Sequence, residues 1–129
     1  MCSCYLPHPI LYYREILQYI GQTYKDPELK IDEETIRHLH ELCVQGIEGM
    51  ETQTGRYRSV QNYIVAGPQR MIVYTPPSPE KVSDLMKDLV DWIQDAEKKE
   101  ASPFIVSAIA HYEFESIHPF VDGNGRTGR

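Results

Sequence analysis

The residues that could do chemistry stand together in one run, His118-Pro-Phe-Val-Asp-Gly-Asn-Gly-Arg-Thr-Gly-Arg129. An imidazole titrates near neutral pH, so His118 suits removal of a proton from an incoming hydroxyl. Asp122 suits Mg²⁺, which favours a carboxylate together with phosphate oxygens. Glycine backbone can approach a ligand closely and turn successive N–H groups toward an anion, which Gly123, Asn124 and Gly125 would do. A helix opening at Asn124 would add a favourable field for phosphate. On such a helix Arg126 and Arg129, three apart, share a face, and two guanidinium groups suit a polyphosphate. Taken singly, a histidine is usually structural, Asp-Gly and Asn-Gly are ordinary turns, and paired arginines are commonly solvated. Their joint occurrence, in an order that makes one phosphate-transfer site, is what points to function.

Two other readings of the same glycines fail. Gly123-x-Gly125-x-x-Gly128 fits a dinucleotide fingerprint letter for letter, but that fingerprint needs a preceding strand and an acidic residue about twenty positions on. Here a helical pattern precedes it. Read as a calcium loop with Gly125 at the turn, the first ligand would be Phe120, which cannot coordinate Ca²⁺.

The elements that must position this run are mainly helical. Ile10 to Tyr24 reads as a first helix, with Ile10, Tyr13, Leu17 and Ile20 on one side, broken by Asp26-Pro27. Asp32 is an N-cap, Glu33 and Glu34 follow in the first turn, Ile36, Leu39, Leu42 and Cys43 form a stripe, and Gly46 is a stop. The period then changes to two from Val60 to Val65. With Ala66-Gly67-Pro68-Gln69 as the turn and Met71 to Tyr74 returning, this predicts a β-hairpin. Ser78-Pro79 and Ser102-Pro103 each start a further helix, the first running to about Ala96 and the second to about Ile117. No internal repeat or low-complexity tract interrupts them.

The chain has 129 residues, one domain's worth, and a net charge of −6, which argues against a general nucleic-acid or acidic-membrane binder. Three cysteines, Cys2, Cys4 and Cys43, make no secreted disulfide framework. Cys2-x-Cys4 lacks a second pair at zinc spacing. No segment approaches a membrane span and no leader pattern opens the chain, so a cytoplasmic location is expected, a specialised secretion route leaving no such mark.

His118 to Arg129 resembles the Fic signature, His-x-Phe-x-(Asp/Glu)-Gly-Asn-Gly-Arg-x-x-Arg, at every fixed position. Gly55-Arg56-Tyr57-Arg58 through Tyr63, the hairpin, Pro76-Pro77 and Phe114-Glu115-Ser116-Ile117 are similar to Fic domains too. The resemblance implies a helical Fic-like domain over residues 31–129 with one inserted β-hairpin, the flap; the helical pattern before it makes 1–30 an N-terminal helical segment. It implies that His118 is the base on a Ser, Thr or Tyr of a target protein and that Asp122 holds Mg²⁺. The backbone of Gly123, Asn124 and Gly125 then forms an anion hole for the phosphates of ATP, and Arg126 and Arg129 contact the outer phosphates. Phe120 becomes a core anchor, and the flap residues Ser59, Val60, Gln61, Asn62, Tyr63 and Ile64 align the target segment by main-chain pairing. The implied reaction is transfer of AMP to a protein hydroxyl with release of pyrophosphate. Doc-type relatives, which transfer the terminal phosphate, carry Lys where this chain has Gly125, so the glycine favours AMP.

Ile47-Glu48-Gly49 is superficially similar to the family's autoinhibitory motif, (Ser/Thr)-x-x-x-Glu-(Gly/Asn), but its hydroxyl position is Val44. Restraint would then come from another chain, such as a regulatory or antitoxin-like protein, or from further sequence. Family members continue past the last motif arginine, so a chain of this extent is expected to be weakened unless a partner or additional residues complete the helix that the motif opens. Three readings stay open: an AMP-transferring enzyme, a Doc-like phosphotransferase, and a non-catalytic nucleotide-binding or interaction fragment.

Overall fold

A computed structural model describes residues 9–26, 28–47, 49–51 and 53–129, with side chains from residue 13 onward. Cys2, Cys4 and Glu48, raised by the sequence reading, lie outside the described residues. Helix α1 runs Pro9–Thr23, α2 Glu33–Val44, α3 Pro79–Lys98, α4 Pro103–Ile117 and α5 Asn124–Thr127, with strands β1 Ile64–Ala66 and β2 Met71–Tyr74 between α2 and α3. The architecture is mainly α with one antiparallel hairpin. None of the described helices is long and apolar enough to cross a membrane.

The helix boundaries have local causes. The Asp32 carboxylate accepts the Thr35 N–H at 2.7 Å and satisfies an otherwise unpaired first-turn donor of α2. α3 and α4 begin where the Ser-Pro pairs predict, but without a side-chain cap. Ser78 and Ser102 occupy the N-cap positions, but neither side chain makes a capping bond. Proline at the first helical position and the backbone bonds from Lys81 to Ser78 and from Ile105 to Ser102, both 3.0 Å, start those helices instead. α3 continues two residues past Ala96 and closes with Glu100 at φ +54°.

The core gathers the apolar stripe of α3 (Val82, Met86, Leu89, Val90, Ile93), Ile36 of α2, and Phe114 and Ile117 at the end of α4, with Phe120 sealing it. α3 shows the 3.6-residue periodicity of a half-buried helix. α4 is apolar on two faces, and Ile105, Ile109 and Tyr112 remain exposed. On α1 it is Ile16 that is buried, while Tyr13, Leu17 and Ile20 of the anticipated stripe are exposed. The helix is rotated on α2 so that Tyr19 meets His38 edge-on at 4.7 Å.

The hairpin is shorter than the alternating sequence predicts. Val60 to Tyr63 are not paired, and the ladder begins only at Ile64. The polar side chains of that stretch explain why. The Gln61 amide donates to Asn62 O and Pro76 O, and the Asn62 amide to Phe120 O, each at 2.9 Å, so the segment is tied to the neighbouring loops instead of to β2. In the ladder Ile64 opposes Tyr74 and Val65 opposes Ile72, which leaves Val73 as a bulge. Every residue of β2 is exposed.

Candidate active site

His118 is the C-cap of α4 and adopts a left-handed conformation, φ +52° and ψ +61°. That turn ends the helix and directs the following residues back across the core, where Phe120 is fully buried. The His118 Nδ1 lies 3.4 Å from Glu115 O and 3.9 Å from the Glu115 carboxylate. Both neighbours accept and neither donates, so Nδ1 carries a proton. His118 faces a cavity of about 490 Å³ under the hairpin, shared with Asn62, Tyr63, Arg70, Ile72 and Val121. Sequence reasoning did not find Glu115 in this role, although its place one turn before His118 on a helix was the available signal.

Beyond Phe120 the chain closes a tight loop. The Asn124 side chain is buried, and its amide both accepts the Phe120 N–H and donates to Phe120 O, each at 2.8 Å. Its side chain therefore shapes the loop. Gly123 sits at φ +81°, a conformation that L side chains disfavour. A Cβ there would stand 2.5 Å from Val44 Cγ1, so the loop lies directly on α2. Among the described residues the amides of Asn124 and Gly125 have no intramolecular acceptor, and the Gly123 N–H reaches only the Asp122 carboxylate at 2.6 Å.

Asp122 and Arg126 are brought together: Arg126 Nη2 lies 3.2 Å from Asp122 Oδ2, and Nη1 donates to Cys43 O at 3.3 Å. α5 ends at Thr127, so Arg129 lies beyond the helix and the shared face expected for Arg126 and Arg129 is not formed. Gly128 rather than Arg129 meets α4, its carbonyl 2.8 Å from His111 Nδ1. Of the flap residues, Val60 and Tyr63 are exposed, whereas Gln61 and Asn62 are half-buried and spend their amides on the loops.

Two positioning side chains went unassigned in the sequence. Arg58 is buried and makes four bonds to carbonyl oxygens: Nε to His118, Nη1 to Val60, and Nη2 to Pro77 and Ile117. Its own N–H donates to Pro119 O at 2.8 Å. One cation thus ties the two ends of the hairpin segment to the C-terminus of α4, where the helix dipole favours it. His40 is fully buried on α2, and burial pulls its basicity below the ordinary histidine value. Burial also pushes the Cys43 thiol up, which makes it a poor nucleophile at neutral pH. No signal in a single sequence separates either residue from an ordinary scaffold residue, because their partners are remote along the chain.

The Fic/DOC family pattern matches residues 30–129. The chain belongs to the Fic/DOC family. This Fic/DOC domain is 38% identical over 102 residues to protein adenylyltransferase fic-1 of Caenorhabditis elegans, which covers 79% of this chain and 18% of that protein. It is 31% identical over 115 residues to protein adenylyltransferase Fic of Nematostella vectensis, covering 89% of this chain and 25% of the relative. The chain therefore spans about a fifth to a quarter of the length of these curated relatives. Among solved structures, a Fic domain containing signaling protein from Bacteroides thetaiotaomicron superposes with a TM-score of 0.81 at 29% identity, covering 93% of this chain and 44% of that one. A Fic family protein from Desulfovibrio desulfuricans gives 0.70 at 35% identity, covering 93% and 33%.

Proposed function

We propose that this Fic/DOC domain transfers AMP from ATP to a Ser, Thr or Tyr hydroxyl of a protein. The observation that carries the reading is His118 lining the cavity under the hairpin, followed one loop later by the Asp122–Arg126 pair. His118 takes the proton of the acceptor hydroxyl. The oxygen attacks the α-phosphorus, the bond to the bridging oxygen breaks, and pyrophosphate leaves. The amides of Gly123, Asn124 and Gly125 and the Arg126 guanidinium stabilise the phosphate charge. Arg129 is assigned to the outer phosphates on the motif alone. The exposed edge of the hairpin suits an extended target segment.

The residues fit Mg²⁺ as well. Among the described residues no group of three or more His, Cys, Asp or Glu is placed to hold a metal. A single exposed carboxylate, Asp122, is what Mg²⁺ uses when phosphates supply further ligands. Bound there, the ion would neutralise phosphate charge, and Arg126 would exchange its carboxylate partner for a phosphate oxygen. Relatives named protein adenylyltransferases support AMP transfer, as does Gly125 in place of the Doc-type lysine. ATP, Mg²⁺, a cytoplasmic location and a regulatory protein partner belong to the same proposal.

The test incubates the chain with Mg²⁺ and ATP labelled on either the α- or the γ-phosphate, beside His118→Ala and Asp122→Ala. Label from the α-position that disappears in both variants supports AMP transfer. Label from the γ-position alone would replace it with phosphate transfer. Absence of label, with ATP·Mg²⁺ bound no better by wild type than by the variants, would leave a non-catalytic fragment.

A further inference from the structure

His40 lies in the middle of α2 and contacts nothing in the proposed reaction directly, yet it makes three contacts, two of them to the motif loop. Its ring stacks flat on Phe120, with centroids 3.7 Å apart and planes 6° from parallel. Its Nδ1 accepts the Gly55 N–H at 3.0 Å. A ring nitrogen that accepts carries no proton, so the proton sits on Nε2, and Nε2 donates to Asp122 O at 2.9 Å. Gly55 therefore sets the tautomer that the motif loop needs.

The consequence lies in the peptide between Asp122 and Gly123. A trans peptide is planar, with its C=O and N–H pointing in opposite directions. Drawing the Asp122 carbonyl down to α2 turns the Gly123 N–H outward, to the side of the Asp122 carboxylate. One local bond, from the Gly123 N–H to the exposed Asp122 carboxylate, favours the same orientation, and the His40 donor is the hold on it from the buried side. Rotation of that peptide would chiefly change ψ of Asp122 and φ of Gly123, and glycine accepts either sign of φ. The Gly123 backbone also lies close on the ring, since a Cβ there would stand 3.3 Å from His40 Nε2.

We propose that His40 is a positioning residue that locks the Asp122–Gly123 peptide with its carbonyl inward, and so presets the amides from Gly123 to Gly125 for nucleotide phosphates. What those amides bind rests on the function proposed above. The peptide orientation does not.

Two substitutions separate this role from packing. In His40→Gln the side-chain amide nitrogen reaches the place of Nε2 and keeps the donor to Asp122 O, giving up Gly55. In His40→Asn the amide oxygen stands near Nδ1 and keeps Gly55, giving up Asp122. Both lose the stack on Phe120, so both should melt below wild type. The expected split is in the Gly123 amide resonance and in ATP·Mg²⁺ affinity measured by calorimetry. In the Gln variant the resonance moves only by the lost ring current, stays sharp, and affinity remains near wild type, whereas the Asn variant broadens it and weakens binding about fivefold or more, the equivalent of one hydrogen bond. Equal losses in the two variants, or a Gly123 resonance in His40→Asn as sharp and placed as in His40→Gln, would overturn the proposal. If wild type binds no ATP·Mg²⁺, the functional reading falls and the Gly123 resonance alone decides the role of His40. Should neither variant fold, the ring-nitrogen shifts of wild-type His40 decide, because a proton on Nδ1 is incompatible with the lock.

Discussion

Replacing Arg58 by Met removes one head group and releases four carbonyl oxygens, those of Ile117, His118, Val60 and Pro77. The bond to Ile117 O is buried and the other three are part-buried. The Ile117 carbonyl then bears the cost of an unsatisfied buried acceptor, about 1–3 kcal/mol, while water restores part of each of the others, at about 0.5–1.5 kcal/mol lost per bond. Such terms overlap, and the methionine stem retains the apolar packing of the arginine, so the expected loss is about 3–5 kcal/mol. For a domain of this size that lowers Tm by roughly 10–20 °C. Arg58→Lys should recover less than half of the loss, because one ammonium cannot span acceptors from three separate segments as the planar fork does. Urea unfolding followed by the fluorescence of Trp92, the single tryptophan, measures both. A Met variant within about 1 kcal/mol of wild type would refute the reasoning, since that is the worth of a single ordinary hydrogen bond. So would a Lys variant indistinguishable from wild type.

Gly123→Ala should destabilise by about 2–4 kcal/mol, combining left-handed backbone strain with overpacking. The Cβ contact at 2.5 Å to Val44 Cγ1 means that Val44→Ala should relieve part of this, and a double-mutant cycle with no coupling would contradict the clash. Asn124→Ala should cost about 1–3 kcal/mol and strip hydrogen-exchange protection from the Phe120 amide, because the buried Phe120 N–H loses its acceptor while Phe120 O keeps the Asn62 amide. Protection unchanged in that variant would show the loop closing by other means. Asp32 is held below the ordinary aspartate pKa, chiefly because its carboxylate accepts the Thr35 N–H. The unfolded chain therefore binds that proton first on acidification. The contribution is complete above the ordinary aspartate range and fades as pH falls through the lower folded value. Asp32→Asn keeps a capping acceptor without the charge, so the stability advantage of wild type should shrink below about pH 4 in chemical denaturation. A difference constant from pH 7 to 3 would argue against this.

The helices were legible because their causes are local. Asp32 before Glu33-Glu34, proline after Ser78 and Ser102, and the 3.6-residue stripe from Val82 to Ile93 each act within a few residues. The hairpin turn was legible for the same reason. The extent of the first strand was not. The alternation from Val60 to Val65 is real, but the Gln61 and Asn62 amides find acceptors in remote loops, and those bonds override strand propensity. Likewise, which side of α1 is buried depends on how it is rotated against α2, and Ile16 won over the more continuous row of Tyr13, Leu17 and Ile20.

By itself the sequence determined the order of chemical groups: a histidine ending a helix, a carboxylate four residues on, glycines, then an arginine four residues after the carboxylate. Such spacings hold the groups within one loop whatever surrounds them. Only the tertiary structure decided how that loop is set, through Arg58 beneath His118 and His40 beneath Asp122, the latter pair 82 residues apart in the chain. It also paired Asp122 with Arg126. The physical reason is that a loop rich in glycine has little conformational preference of its own, so its backbone is held by side chains that fold in from elsewhere.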